Sequence, residues 1–292
     1  MMREPNRRAF VVVAAGVALL TLCGSTGAAV QLELKLDKGR TYYERMTVDQ
    51  RITQIIMAQE QVIDTLTGVG KKLVVEDVDA QGNMQIRCTY IWSRLKQSGP
   101  MGIVDYDSSH AMTVPGGAEA FAALIGEGYT IRVSPQGAVL DVNGVKELTE
   151  AVRKKVPEGM DLSSGMSPVA FLLSEDGIRQ TTQDLLSVYP DKPVEQGDSW
   201  DRRKLTSLGF SMIVESQWTF RREMGGVATL DVVSSMKSDP AGPPMDAQGM
   251  KMKIEVSGTQ EGTVQVAEAT GLVKMSRSTS LLKGQIKLGE IG

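Results

Sequence analysis

From Val30 to Leu36 the chain reads VQLELKL, with Val30, Leu32, Leu34 and Leu36 apolar and a polar residue between each pair. A period of two places alternate side chains on opposite faces, so this run predicts a strand with one buried face. β-Branched and aromatic residues persist through GRTYYERMTVDQRITQIIM. MAQEQ then supplies a reversal, and VIDTLTGVGKKLVVEDVD a return strand. AQGN turns the chain into a third run, MQIRCTYIWSRLKQ. Strands of this length twist and coil, so a series of them predicts a strongly curved antiparallel sheet or a barrel.

The pattern then changes. SGPMGIVDYDSSHAMTVPGG reads as a loop, AEAFAALIGE as a short helix over 118–126, and YTIRVSPQGAVLDVNG as a hairpin. A helix over 143–156 follows, with Asn143 as its cap, an apolar stripe of Val145, Leu148, Val152 and Val156, and Pro157 as its stop. EGMDLSSGMSP links to a second helical run over 169–188. From Trp200 onward strands return, interrupted by KSDPAGPPMDAQG, which reads as a long loop. The expected fold is α+β, mostly antiparallel and strongly curved β-sheet, barrel or half-barrel like, with a few inserted helices. Residues 29–292 form one β-rich domain with β units at about 30–142 and 194–290, joined by a helical segment, 143–188.

Two stretches support that division. LDKGRTYYER (Leu36 to Arg45) and VEQGDSWDRR (Val194 to Arg203) share apolar, acidic, glycine, hydroxyl, aromatic and arginine positions without a gap. The second belongs to VYPDKPVEQGDSW, the most motif-like stretch of the chain. Pro190 and Pro193 cannot continue the preceding helix, Gly197 gives freedom for a positive φ, and Trp200 begins a strand with a ring to bury. These four residues are therefore expected to form a structural corner. Its echo exchanges Asp198 for Arg40, which a duplicated active site would not tolerate.

The first residues explain themselves. Arg3, Arg7 and Arg8 precede the apolar run Ala9 to Leu22, and small residues follow in CGSTGAA. This is the pattern of an export signal peptide over residues 1–28, with cleavage after Ala28 or Ala29. NRRAFVV also has the paired arginines of a twin-arginine signal, and Cys23 offers a lipid-anchoring alternative. The protein is thus expected in the periplasm or secreted, with no transmembrane span in the mature chain. Losing the leader removes three arginines and one glutamate and takes the net charge from −3 to −5. No long basic run is present, which argues against nucleic acid. Cys88 is the one cysteine left after residue 28, so no intramolecular disulfide forms.

The search for chemistry gives little. His110 is the one histidine, in DYDSSHAM, and no nucleophile elbow accompanies it. DVDAQGN imitates the start of a calcium loop, but Gln81 and Cys88 stand where acidic ligands belong. No catalytic, cofactor-binding or metal residue is assigned, and no cofactor is expected.

KGRTYYERMTVDQRITQ, GPMGIVDYDSS, YPDKPVEQGDSW and SGTQEGTVQVAEATG together resemble a family of exported bacterial proteins that is a domain of unknown function. The resemblance covers roughly residues 30 to 288, and YPDKPVxxGDSW is its most specific segment. It implies an exported β-rich domain and transfers no site residues. The expected function is a non-enzymatic interaction or structural module of the cell envelope, binding an unknown protein partner. The alternatives are a carrier or sensor of an apolar small molecule in a barrel-like cavity, and an enzyme of unrecognised type.

Overall fold

The computed structural model describes residues 29–56, 59–100, 102–160, 162, 168–186, 188–207, 210–242, 245–247 and 250–288. The expected leader, with Cys23, lies outside them. Mostly antiparallel β structure forms two six-stranded sheets. The first contains β1 (Thr41–Ile56), β2 (Gln59–Val78), β3 (Met84–Gly99), β4 (Gly102–Asp107), β5 (Gly128–Val133) and β6 (Val139–Asn143). Its order is β1-β2-β3-β5-β6, with β4 paired to β3. The second contains β7 (Ser199–Ser207), β8 (Ser211–Glu223), β9 (Val227–Ser238), β10 (Met245–Ala247), β11 (Met250–Ala267) and β12 (Val273–Leu288). Its order is β10-β11-β9-β8-β7, with β12 on β11. Helix α1 (Glu119–Ala123) lies between β4 and β5, and α2 (Val145–Arg153), α3 (Pro168–Leu172) and α4 (Glu175–Leu186) lie between β6 and β7.

The same local geometry opens both sheets. Gly39, at φ +79°, donates its N–H to Val75 O, and Val75 N–H donates to Arg40 O. Gly197, at φ +95°, donates to Phe220 O, and Phe220 N–H donates to Asp198 O. Each is a turn closed by a bulge whose first residue is a left-handed glycine. The correspondence continues along the strands. A residue is skipped after Val75 in the β2–β3 ladder and after Phe220 in the β8–β9 ladder. The β5–β6 and β11–β12 ladders slip just before Val133 and Val266, both fully buried. Ile86 and Leu230, opposite Val75 and Phe220, are buried as well. Each such aliphatic side chain contributes about 1.5–3 kcal/mol of burial.

One apolar core includes residues of both sheets, from Val75, Ile86 and Val133 to Phe220, Leu230 and Val266. The VQLELKL run buries Leu32, Leu34 and Leu36, as its alternation predicts. It is a strap rather than a member of either sheet. Val30 bridges to Val194, Leu34 N–H donates to Pro135 O at the β5–β6 turn, and Lys35 N–H donates to Thr270 O at the β11–β12 turn. Helix α4 is a second tie: Arg179 donates to Val139 O on β6, while Asp184 accepts from Lys204 on β7 at 2.6 Å.

Several local expectations are corrected. The 98–117 loop contains β4, because Gly102 at φ +109° reverses the chain and returns it along β3. The loop before β11 contains β10. Asn143 does not cap α2: it ends β6 and its amide bonds Asp141, while Gly144 at φ +83° makes the entry. The run over 169–188 divides into α3 and α4, where the Ser174 hydroxyl accepts the Gly177 N–H and starts a new helix. Both sheets have open ends among the described residues, with no ladder joining β1 to β6 or β7 to β12.

Candidate functional site

The most unusual polar group is Lys71. Period two from Val75 carries Leu73, Lys71 and Val69 to the same face of β2, so the lysine is turned inward. It is 6% exposed. Its Nζ lies 3.2 Å from Glu44 Oε1 on β1, directly opposite in the ladder, and donates to Tyr129 Oη at 3.5 Å. Burial alone would lower its pKa. Burial is the largest single effect, but the Glu44 carboxylate, with Tyr129, Cys88 and Tyr90 around it, raises the pKa by more in sum, and the ammonium titrates well above its usual range.

Around the pair stand Cys88, Tyr90 and Tyr129, all buried. Burial raises all three, to about 12 for Cys88 and Tyr90. Tyr90 Oη donates to Leu172 O on α3 at 3.2 Å. At neutral pH the cluster is therefore one ion pair enclosed by a protonated thiol and protonated phenols. It offers neither a free base nor an activated nucleophile. The second sheet carries Arg202, Ser216 and Ser234 where the first carries Glu44, Lys71 and Tyr90, counted from the matched bulges. Ser216 and Ser234 share a 2.8 Å hydroxyl–hydroxyl bond. The positions are polar in both sheets and the chemistry is not repeated, which fits an internal brace.

The predicted corner residues lie between α4 and β7. Pro190 is buried and Pro193 exposed. Gly197 holds the turn described above. Trp200 stacks on Trp218 with ring centroids 6.5 Å apart and planes 11° from parallel. Its indole nitrogen is buried without a hydrogen-bond partner. Three residues that sequence reasoning missed anchor the stretch. Tyr189 donates its hydroxyl to Gly271 O at 2.7 Å, Val194 holds the strap at Val30, and Arg202 grips both Asp191 and Tyr189 O. The tyrosine before the first proline was the available signal.

The remaining candidates are dispersed. His110 is exposed, 3.9 Å from Asp107, whose carboxylate also receives Trp92 Nε1–H. Asp79, in the calcium-loop mimic, accepts bonds from Gln81, Asn83 and Arg132. Those bonds hold its carboxyl at about 2, so it is a turn-forming residue. No group of three or more His, Cys, Asp or Glu able to hold a metal occurs among the described residues. Two open recesses, of about 420 and 550 Å³, are lined mainly by polar residues of α2 and of the β9–β11–β12 end respectively. No helix among the described residues is long and apolar enough to cross a membrane.

Two open antiparallel sheets, strapped together and braced inside, define a β-rich α+β protein. The chain belongs to a family of unknown function, DUF6263, whose model matches residues 81–273. No curated protein and no solved structure matches it.

Proposed function

We propose that the protein is an exported, non-enzymatic interaction module of the cell envelope, built from two copies of one β unit. The observation that carries this reading is a pair of apolar rows that run past the core. On β1 the core-facing side continues through Val48 and Ile52, 48% and 39% exposed. On β12 the core-facing side carries Ser276, Ser278 and Ser280 and then turns apolar at Leu282 and Ile286, 38% and 59% exposed. Exposed apolar rows that extend a buried face are surfaces for a partner. The bulges in β2, β5–β6, β8 and β11–β12 bend their strands, which supports troughs of half-barrel form with these rows inside. The leader pattern supports export.

The test is photo-crosslinking in the exporting cell from positions 48, 52, 282 and 286, with Arg221 on the opposite side as control. Discrete adducts from the four positions and none from 221 are expected. Their absence would sink the reading. The same rows suit an apolar small molecule, the second reading. Native mass spectrometry decides it: a co-purifying lipid mass lost on Ile52→Asp or Leu282→Asp supports the carrier, and a ligand-free spectrum rejects it.

A further inference from the structure

Six strands pair on one side only among the described residues: β4 and β10 are short, six and three residues, and β6 and β7 are both tied to α4, as described above. Strands β1 and β12 have open outer edges among the described residues. Both are 16 residues long and free of proline. Open edges of this length are templates for another strand, and proteins usually protect them with charge. Strand β12 is protected: it carries Lys274, Arg277, Lys283 and Lys287 and no acid. Strand β1 carries Glu44, Arg45, Asp49 and Arg51, so its charges cancel.

The backbone of β1 has a definite polarity. Val75 N–H donates to Arg40 O, and the β1–β2 register runs without a bulge. Even-numbered residues therefore turn their backbone groups toward β2, and odd-numbered residues from Thr41 to Ile55 turn theirs outward. The side chains on that outward set include Arg45 and Asp49. Arg45 is held flat over the Trp92 ring, its guanidinium carbon 3.5 Å from the centroid. Neither Arg45 nor Asp49 makes an ion pair among the described residues. Arg51 is already engaged by Asp64.

We propose that β1 pairs antiparallel with β1 of a second copy of this chain, about a two-fold axis through Thr47. This goes beyond the interaction reading above, since it uses the strand's edge and not its inner face. In this register Arg45 faces the partner copy's Asp49 twice, and Tyr43 faces Arg51. On the inner side Met46 faces Val48 and Tyr42 faces Ile52, so the apolar rows of the two copies run side by side. A two-fold axis makes one favourable pair into two. Neighbouring registers are poorer on charge. Centring on Met46 leaves Arg45 against Thr47 and Asp49 against Tyr43, with no ion pair. Centring on Val48 opposes Arg45 to Arg51, centring on Asp49 opposes two aspartates, and centring on Arg45 opposes two arginines. Centring on Gln50 opposes Asp49 to Arg51, whose guanidinium already holds Asp64, and leaves Arg45 against Ile55.

The test is the mass of the purified protein in solution by sedimentation equilibrium, with three variants. The parent is expected to be a dimer. Asp49→Arg places four arginines at the junction and weakens the dimer by about tenfold or more. Arg45→Glu with Asp49→Arg restores it, which a merely structural role of either residue would not do. Thr47→Cys forms a disulfide-linked dimer on mild oxidation, because only the residue on the axis meets itself at bridging distance. A monomeric parent at about 100 µM, far above the range of specific association, overturns the proposal. So does a dimer unaffected by Asp49→Arg, or one in which Thr47→Cys does not crosslink.

Discussion

Val75 and Phe220 hold the same place in two sheets: each accepts a hydrogen bond from a left-handed glycine, returns one to the next residue's carbonyl, and precedes a bulge. The glycines, Gly39 and Gly197, would not clash with anything if they carried a Cβ. What forbids a side chain there is backbone conformation alone.

That separation gives a first prediction. Gly39→Ala and Gly197→Ala each lose about 1–2 kcal/mol, and they do so equally, because the two turns are the same. Gly271 differs. Its Cβ would stand 2.0 Å from Glu33 O, inside the strap that joins the sheets. Gly271→Ala therefore costs more than either turn glycine. Urea midpoints of the three variants check the order, and a Gly271→Ala protein as stable as Gly39→Ala would contradict the role of the strap.

The buried ion pair gives the second. Glu44→Ala leaves the Lys71 ammonium enclosed without its carboxylate, a loss of about 3 kcal/mol or more. Replacing both partners, with Glu44→Leu and Lys71→Met, removes the stranded charge and recovers most of that loss. A double variant no better than Glu44→Ala in chemical denaturation would mean that the pair does more than brace the sheet.

Much of this architecture was legible, and the exceptions have physical causes. Alternation in VQLELKL identified the buried leucines but could not show that their backbone would serve two turns instead of a ladder. The glycine echo placed both sheet entrances, because a positive φ restricts residue choice strongly. Strand β4 was missed because it is short and lies between turn residues, and its pairing depends on β3. Lys71 was missed because Lys72 stands beside it. Which of the two points inward follows only from the phase set by Val69, Leu73 and Val75. That phase can be read in the sequence once the strand is anchored at Val75. The unpaired edge of β1 was not legible at all, since edge position is a property of the sheet.

The third prediction concerns Cys88. Burial pushes its thiol up to about 12, so the reactive thiolate is absent at ordinary pH. A disulfide reagent at pH 8 is expected to leave the folded protein unlabelled and to react fully once guanidinium unfolds it. Rapid labelling of the native state would show that the Lys71 cluster is open to solvent.

The corner itself supplies the last. Trp200 stacks on Trp218 within the inner face of the second sheet, so Trp200→Ala removes an aromatic pair and leaves a cavity beside Trp218. Large aromatic truncations in cores cost about 3–5 kcal/mol, and the partial exposure of Trp200 puts its loss at the lower end. Asp191 is 88% exposed, although it bonds Arg202 through both carboxylate oxygens at 2.9 Å. Arg202 keeps its 2.7 Å bond to Tyr189 O when that carboxylate is neutralised. Asp191→Asn is therefore expected to cost less than about 1 kcal/mol. Tyr189→Phe, which removes the bond from the corner to Gly271 O in the β11–β12 turn, falls between the two, at about 1–2 kcal/mol. Thermal unfolding of the three variants separates a structural corner from a binding loop. A Trp200→Ala protein with unchanged melting would place the weight of the motif on recognition instead.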